Sequence, residues 1–96
     1  MFDSPDMRET LRRLIRSRMA YKGFEYRDLS RALEELGIHQ NDSNLRSKVN
    51  NGALGAQLFM YIMLAMDVTE LDMTQVSEIL AEVSAQNAGE KASQQQ

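Results

Sequence analysis

From Asn44 to Asn51 the chain reads Asn-Leu-Arg-Ser-Lys-Val-Asn-Asn, two long cations and three amides around two apolar residues four positions apart. Arg46 and Lys48 are long enough to reach guanine edges or phosphates, and Asn44, Asn50 and Asn51 can read adenine or bind backbone oxygens. Ser43, Ser47, Tyr26 and Arg27 carry donors suited to phosphate oxygens. Upstream, Arg8, Arg12, Arg13, Arg16, Arg18 and Lys22 are opposed by Glu9 alone. Of these, Arg12, Arg13 and Arg16 would add unspecific, salt-dependent attraction to a polyanion.

Chemistry of other kinds finds little support. His39 is the only histidine and there is no cysteine, so it suits a turn or cap better than a metal or a reaction. No pair of carboxylates sits among apolar residues as a tuned acid and base would. Ser47 and Lys48 are adjacent, and adjacent helix positions diverge in direction. No phosphate-cradling glycine loop is present. The expectation is binding rather than catalysis, with no cofactor and no metal.

The net charge of −3 divides unevenly: residues 1–50 hold ten Lys/Arg against eight Asp/Glu, and residues 51–96 hold one against six. That asymmetry suits a polyanion partner for the first half. With 96 residues the chain is long enough for one small domain. Residues 84–96 lack any large apolar side chain and read as a flexible polar tail, which leaves 1–83 as the folded part. No apolar run approaches a membrane span and the start lacks the apolar stretch of a signal peptide, so a cytoplasmic protein without membrane contact is expected.

Helical signals fill the folded part. Ser4-Pro5-Asp6 announces a first helix with Met7, Leu11, Leu14, Ile15 and Met19 inward, ending near Gly23. A second runs from about Tyr26 to Leu36, burying Leu29, Ala32, Leu33 and Leu36, with Gly37 as its left-handed cap. The third, Asn44 to Asn50, turns only Leu45 and Val49 inward. The fourth, about Ala56 to Met66, is apolar almost all round and reads as the central core helix. The fifth starts after Asp72 or Thr74 and presents Met73, Val76, Leu80 and Val83 at 3-4-3 spacing with Ile79 beside them. That seam can pack on the same chain or on a second copy.

This order resembles the layout of a λ-repressor-like helix-turn-helix domain, a compact all-α fold of five helices. Gly23-Phe24-Glu25-Tyr26-Arg27-Asp28-Leu29-Ser30-Arg31-Ala32-Leu33 resembles the entry to the helix-turn-helix of xenobiotic-response-element-type repressors. Asn50-Asn51-Gly52 is similar to the close of their recognition helix, and Ile62 to Val68 to the apolar helix that ends such domains. Leu45-Arg46-Ser47-Lys48-Val49-Asn50-Asn51-Gly52 resembles more closely the Leu-Arg-x-Lys-Ile/Val-x-x-Gly hallmark of an uncharacterised, distantly repressor-like bacterial family. Two departures stand out. The link from Gly37 to Leu45 is about two residues longer than usual, which opens the turn or extends the third helix at its start. Glu25 and Tyr26 occupy positions where those repressors place a small polar cap and often a glutamine.

The resemblance implies a sequence-specific transcriptional regulator of repressor type, from a bacterium, phage or plasmid, with the third helix in the major groove of double-stranded DNA. It also implies a homodimer on an inverted repeat, for which the fifth-helix seam (Met73, Val76, Ile79, Leu80 and Val83) is the candidate contact. The acidic second half, the longer turn and Glu25 favour an alternative, a protein-interaction module on the same scaffold, as in an antirepressor or adaptor. A charge map separates the two. A basic face joining Arg12, Arg16, Arg46 and Lys48 favours nucleic acid, whereas a third helix fringed by Asp28, Glu34 and Asp42 favours a protein partner.

Overall fold

Local capping chemistry sets where each helix begins and ends. The Ser4 hydroxyl accepts from the Met7 N–H at 3.1 Å and Pro5 needs no amide partner, so α1 (Pro5–Lys22) opens there and closes at Gly23 in the left-handed region. The Asp28 carboxylate accepts from the Glu25 N–H at 2.8 Å and starts α2 (Tyr26–Glu35). The Asn41 side chain accepts from the Asn44 N–H at 2.7 Å and starts α3 (Asp42–Asn51). This cap lies upstream of the expected start, so α3 begins two residues before Asn44. α4 (Ala56–Ala65) and α5 (Met73–Gln94) complete the order, the latter entered where Asp72 accepts from the Thr74 N–H. The computed structural model describes residues 2–94, with side chains through Gly89, and is all-helical among the described residues.

Ile15 and Met19 of α1, Leu29 and Leu33 of α2, Leu45 and Val49 of α3, and Ile62 and Met63 of α4 form the core with Met66. Phe24, Ile38, Leu54, Leu58 and Phe59 close over it. α2 and α3 pack on each other and are joined by a pinned link, in which the Ile38 N–H donates to the Leu33 carbonyl and the Ser30 hydroxyl to the Gln40 carbonyl. Thr10 is the one buried polar residue among those described, and its hydroxyl donates to the Asp6 carbonyl one turn back.

Three expectations are corrected. α4 is not enclosed: Ile62 and Met63 are buried, but Met60, Tyr61 and Leu64 face outward, and Leu36 of the α2 end is exposed as well. An apolar composition all round says nothing about which faces find a neighbour, and α4 packs chiefly on α2. α5 continues as helix through Gln94, across most of the expected tail; Gln95 and Gln96 lie outside the described residues. From Ser84 on it is held by polar contacts, since Asp6 accepts from both Ser84 and Asn87, and Arg13 donates to Gln86 at 2.8 Å. Finally, Val76 and Val83 of the α5 seam are buried in the chain's own packing of α5 on α1, which removes them as a contact for a second copy. Ile79 and Leu80 are half-buried, and only Met73 of the seam is exposed.

The tightest junction is at Gly52, which closes α3 in the left-handed region at φ +60°. A Cβ there would lie 2.6 Å from the Arg8 Cα and closer still to the Arg8 carbonyl oxygen. Gly52→Ala therefore meets backbone that cannot move aside as well as the left-handed penalty, and should cost about 3 kcal/mol or more in equilibrium urea unfolding. Gly37→Ala, with φ +81° but open space around it, carries only the conformational penalty of about 1–2 kcal/mol. Similar losses for the two variants would remove the α1–α3 approach as a determinant of the fold.

Candidate functional site

With Leu45 and Val49 buried, the opposite side of α3 carries Ser43, Arg46, Ser47 and Asn50, spaced i, i+3, i+4 and i+7 and all exposed. The burial of Leu14, Ile15 and Met19 leaves Arg12, Arg13 and Arg16 on the flank of α1 that borders this face. Tyr26 and Arg27, at the start of α2, stand between them. Together Arg12, Arg13, Arg16, Tyr26, Arg27, Arg46 and Asn50 line one open cleft, with Glu25 and Asp42 also on its wall.

Asn50 is the hub of the cleft. Its Oδ1 accepts from the Tyr26 hydroxyl at 3.3 Å and from an Arg16 guanidinium N–H at 3.4 Å. A guanidinium only donates, so the amide oxygen must turn inward and the amide nitrogen is left for an outside partner. The Arg46 guanidinium lies over the Tyr26 ring, 5.5 Å from its centroid, a cation–π contact that steadies an otherwise free side chain. Reading adenine with an amide takes both a donor and an acceptor. The Asn50 acceptor is already engaged, so Asn50 suits an acceptor-rich partner such as a phosphate. Guanidinium groups and the Asn50 amide thus supply most of the polar lining of the cleft, beside the carboxylates of Glu25 and Asp42 and the apolar Met19, Ala20 and Phe24.

The arginines are not equally available. Glu9 accepts from Arg12 at 2.7 and 2.8 Å and from Arg13 at 3.0 Å, and Gln86 takes a further Arg13 N–H. These bonds, Arg12 first, hold the Glu9 carboxyl down to about 2 and push the Arg12 guanidinium up. Arg27 pairs with Glu25 at 3.1 Å in an exposed contact of little strength. Arg16 and Arg46 meet no carboxylate among the described residues and carry the least compensated charge.

Other expected residues lie elsewhere. Lys48 is half-buried on the far side of α3 and donates to Gln40 at 3.0 Å, so it is absent from the basic face. The Ser43 hydroxyl donates to the Asn41 side chain within the α3 cap, and Asn51 and Ser47 bond to each other at 3.5 Å. Asn44 is exposed at the α3 start outside the cleft lining. His39 is exposed and lies 3.3 Å from Glu34, and no group of three metal-ligating side chains exists among the described residues. The clamp of Glu9 on Arg12 and Arg13 is signalled in the sequence by their i, i+3 and i, i+4 spacing.

Since the Glu9 carboxyl titrates near 2 when folded and near 4.5 when free, its ionised form stabilises the fold fully above the free value. That contribution is lost as pH falls through the folded value. Glu9→Gln should lower the urea midpoint at about pH 6 and leave a smaller gap from wild type at about pH 2. Equal gaps at both values would dismiss the two ion pairs as the source.

No helix among the described residues is long and apolar enough to cross a membrane. No curated protein and no solved structure matches the chain significantly. One family, described as a domain of unknown function (DUF6471), matches residues 7–71, a stretch that contains every residue of the cleft and stops short of α5. By that match, over more than half its length, the chain belongs to the DUF6471 family.

Proposed function

We propose that the protein binds double-stranded DNA as a sequence-specific regulator of repressor type, with the exposed face of α3 in the major groove. The observation that carries this is the convergence of arginines from three helices on one cleft beside the polar side of α3, with Arg16 held by the Asn50 amide oxygen and Arg46 by the Tyr26 ring. DNA meets such a surface with phosphate oxygens along both groove walls and, at guanine, two acceptors in the groove. Arg46, steadied by Tyr26, is the base reader in this scheme. Arg16, Arg27 and the Asn50 amide nitrogen hold the flanking phosphates, and Arg12 and Arg13 contribute more weakly through their pairing with Glu9. Lys48 has no part in it.

One feature favours a second reading. Glu25 and Asp42 interrupt the cleft wall with negative charge, which suits a protein segment of mixed charge better than a uniform polyanion. Fluorescence anisotropy with random-sequence duplex at low and moderate salt separates the two. DNA binding should weaken with salt, Arg16→Ala should flatten the log–log slope by about one, and Arg46→Ala should lower affinity several-fold. Lys48→Ala should bind like wild type. No binding at low salt, or equal loss on Lys48→Ala and Arg46→Ala, would overturn the proposal; the first of these would favour a protein partner.

A further inference from the structure

Tyr26 opens α2, packs its half-buried side chain against the hydrophobic core and lines the cleft. Both of its ends are engaged within the chain. The ring carries the Arg46 guanidinium, 5.5 Å from its centroid, and the hydroxyl donates to the Asn50 Oδ1 at 3.3 Å. A tyrosine hydroxyl has a single proton to give. The proton that would reach a phosphate oxygen already goes to Asn50, so the phosphate contact expected of Tyr26 from its residue type is not the part its geometry suits.

The two ends serve different neighbours, which stand one turn apart on the exposed side of α3. Arg46 is exposed and makes no ion pair among the described residues. Even Asp42, one turn back in the same cleft, instead accepts from the Ser43 N–H at 3.0 Å. The ring is what fixes where the Arg46 guanidinium lies. Gripping guanine by O6 and N7 together restricts a long side chain, and one already seated on a stiff aromatic loses less freedom in doing so. At the other end, Tyr26 joins Arg16 in turning the Asn50 oxygen inward. The Asn50 amide nitrogen is thereby presented outward, where a phosphate oxygen can take it.

We infer that Tyr26 is the positioning residue of the DNA interface: its ring aims Arg46 at guanine and its hydroxyl aims the Asn50 amide at phosphate, while Tyr26 itself bonds to neither. The inference rests on the DNA-binding reading and adds a division of labour to it. Base recognition depends on the ring, and backbone affinity depends on the hydroxyl.

Duplexes enriched by the full-length wild type from a randomised pool are the probe. Each is also made with single guanines replaced by 7-deazaguanine, which keeps its pairing and lacks the N7 acceptor. The guanine read by Arg46 is the one whose replacement weakens wild type about tenfold and leaves Arg46→Ala indifferent. Tyr26→Leu, which keeps apolar packing and loses the ring face, should shrink that penalty to about threefold or less. Tyr26→Phe, which keeps the ring and lacks the hydroxyl, should retain the penalty and weaken binding to all duplexes alike by about threefold. The penalty is a ratio of two affinities of one variant, so any loss of folded protein cancels from it. A full penalty in Tyr26→Leu, or a diminished one in Tyr26→Phe, would overturn the inference and leave DNA binding standing. A wild type that enriches no sequence would overturn both. Enrichment without any guanine that Arg46→Ala silences would overturn the inference together with the role of Arg46 as base reader.

Discussion

The close approach of Gly52 to the backbone of Arg8 fixes how α3 lies on α1, and the rest of the cleft follows from it. A side chain at that point would hold the helices apart. With glycine there, α3 comes near enough for Asn50 to reach the Arg16 guanidinium and the Tyr26 hydroxyl. The same approach brings Leu45 and Val49 into the core beside Ile15 and Met19. A single missing Cβ therefore serves both the packing of the domain and the assembly of its charged surface.

Gathering several guanidinium groups on one small surface carries an electrostatic cost, and the fold meets it locally. Glu9 takes Arg12 and Arg13 together, Gln86 reaches over from α5 to Arg13, and the Tyr26 ring sits under Arg46. Among the described residues Arg16 donates only to a neutral amide oxygen. The gradient runs from tied arginines on α1 to less restrained ones beside α3, so the most available cations are those nearest the exposed helix. Like charges held close in this way are relieved most by an incoming anion, which is where charge-assisted bonds gain their strength.

Much of this is readable along the chain because it rests on local signals. The two apolar residues of α3, four apart, specify its buried edge, and both are fully enclosed. The Ser4-Pro5 start and the glycine stops of α1 and α3 are equally local. Lys48 shows where composition misleads: two residues beyond Arg46 on a helix is more than half a turn away, so the two cations cannot share a face. α4 resisted for the opposite reason, since a helix apolar on every side has no periodicity to say which face is covered. The segment after Ser84 was obscure because its anchors, Ser84 and Asn87 on Asp6, are polar pairs 78 and 81 residues apart with no apolar signature.

α1 is tied at many points along its length: to its Ser4 cap, to α5 through Asp6, to Gly52 through Arg8, to Asn50 through Arg16, and to Gly23 at its end. Inserting or deleting one residue between Arg8 and Arg12 would turn everything downstream by about 100°, carrying the arginines away from α3 and Ile15 out of the core. The link between α2 and α3 is held at fewer points, with Ile38 and Gln40 bonded to Leu33 and Ser30 of α2 on either side of the exposed His39. Changes of chain length during descent would thus be filtered sharply by position: forbidden in α1, where register and charge are the same variable, and tolerated in the link only where the bonds at Ile38 and Gln40 survive.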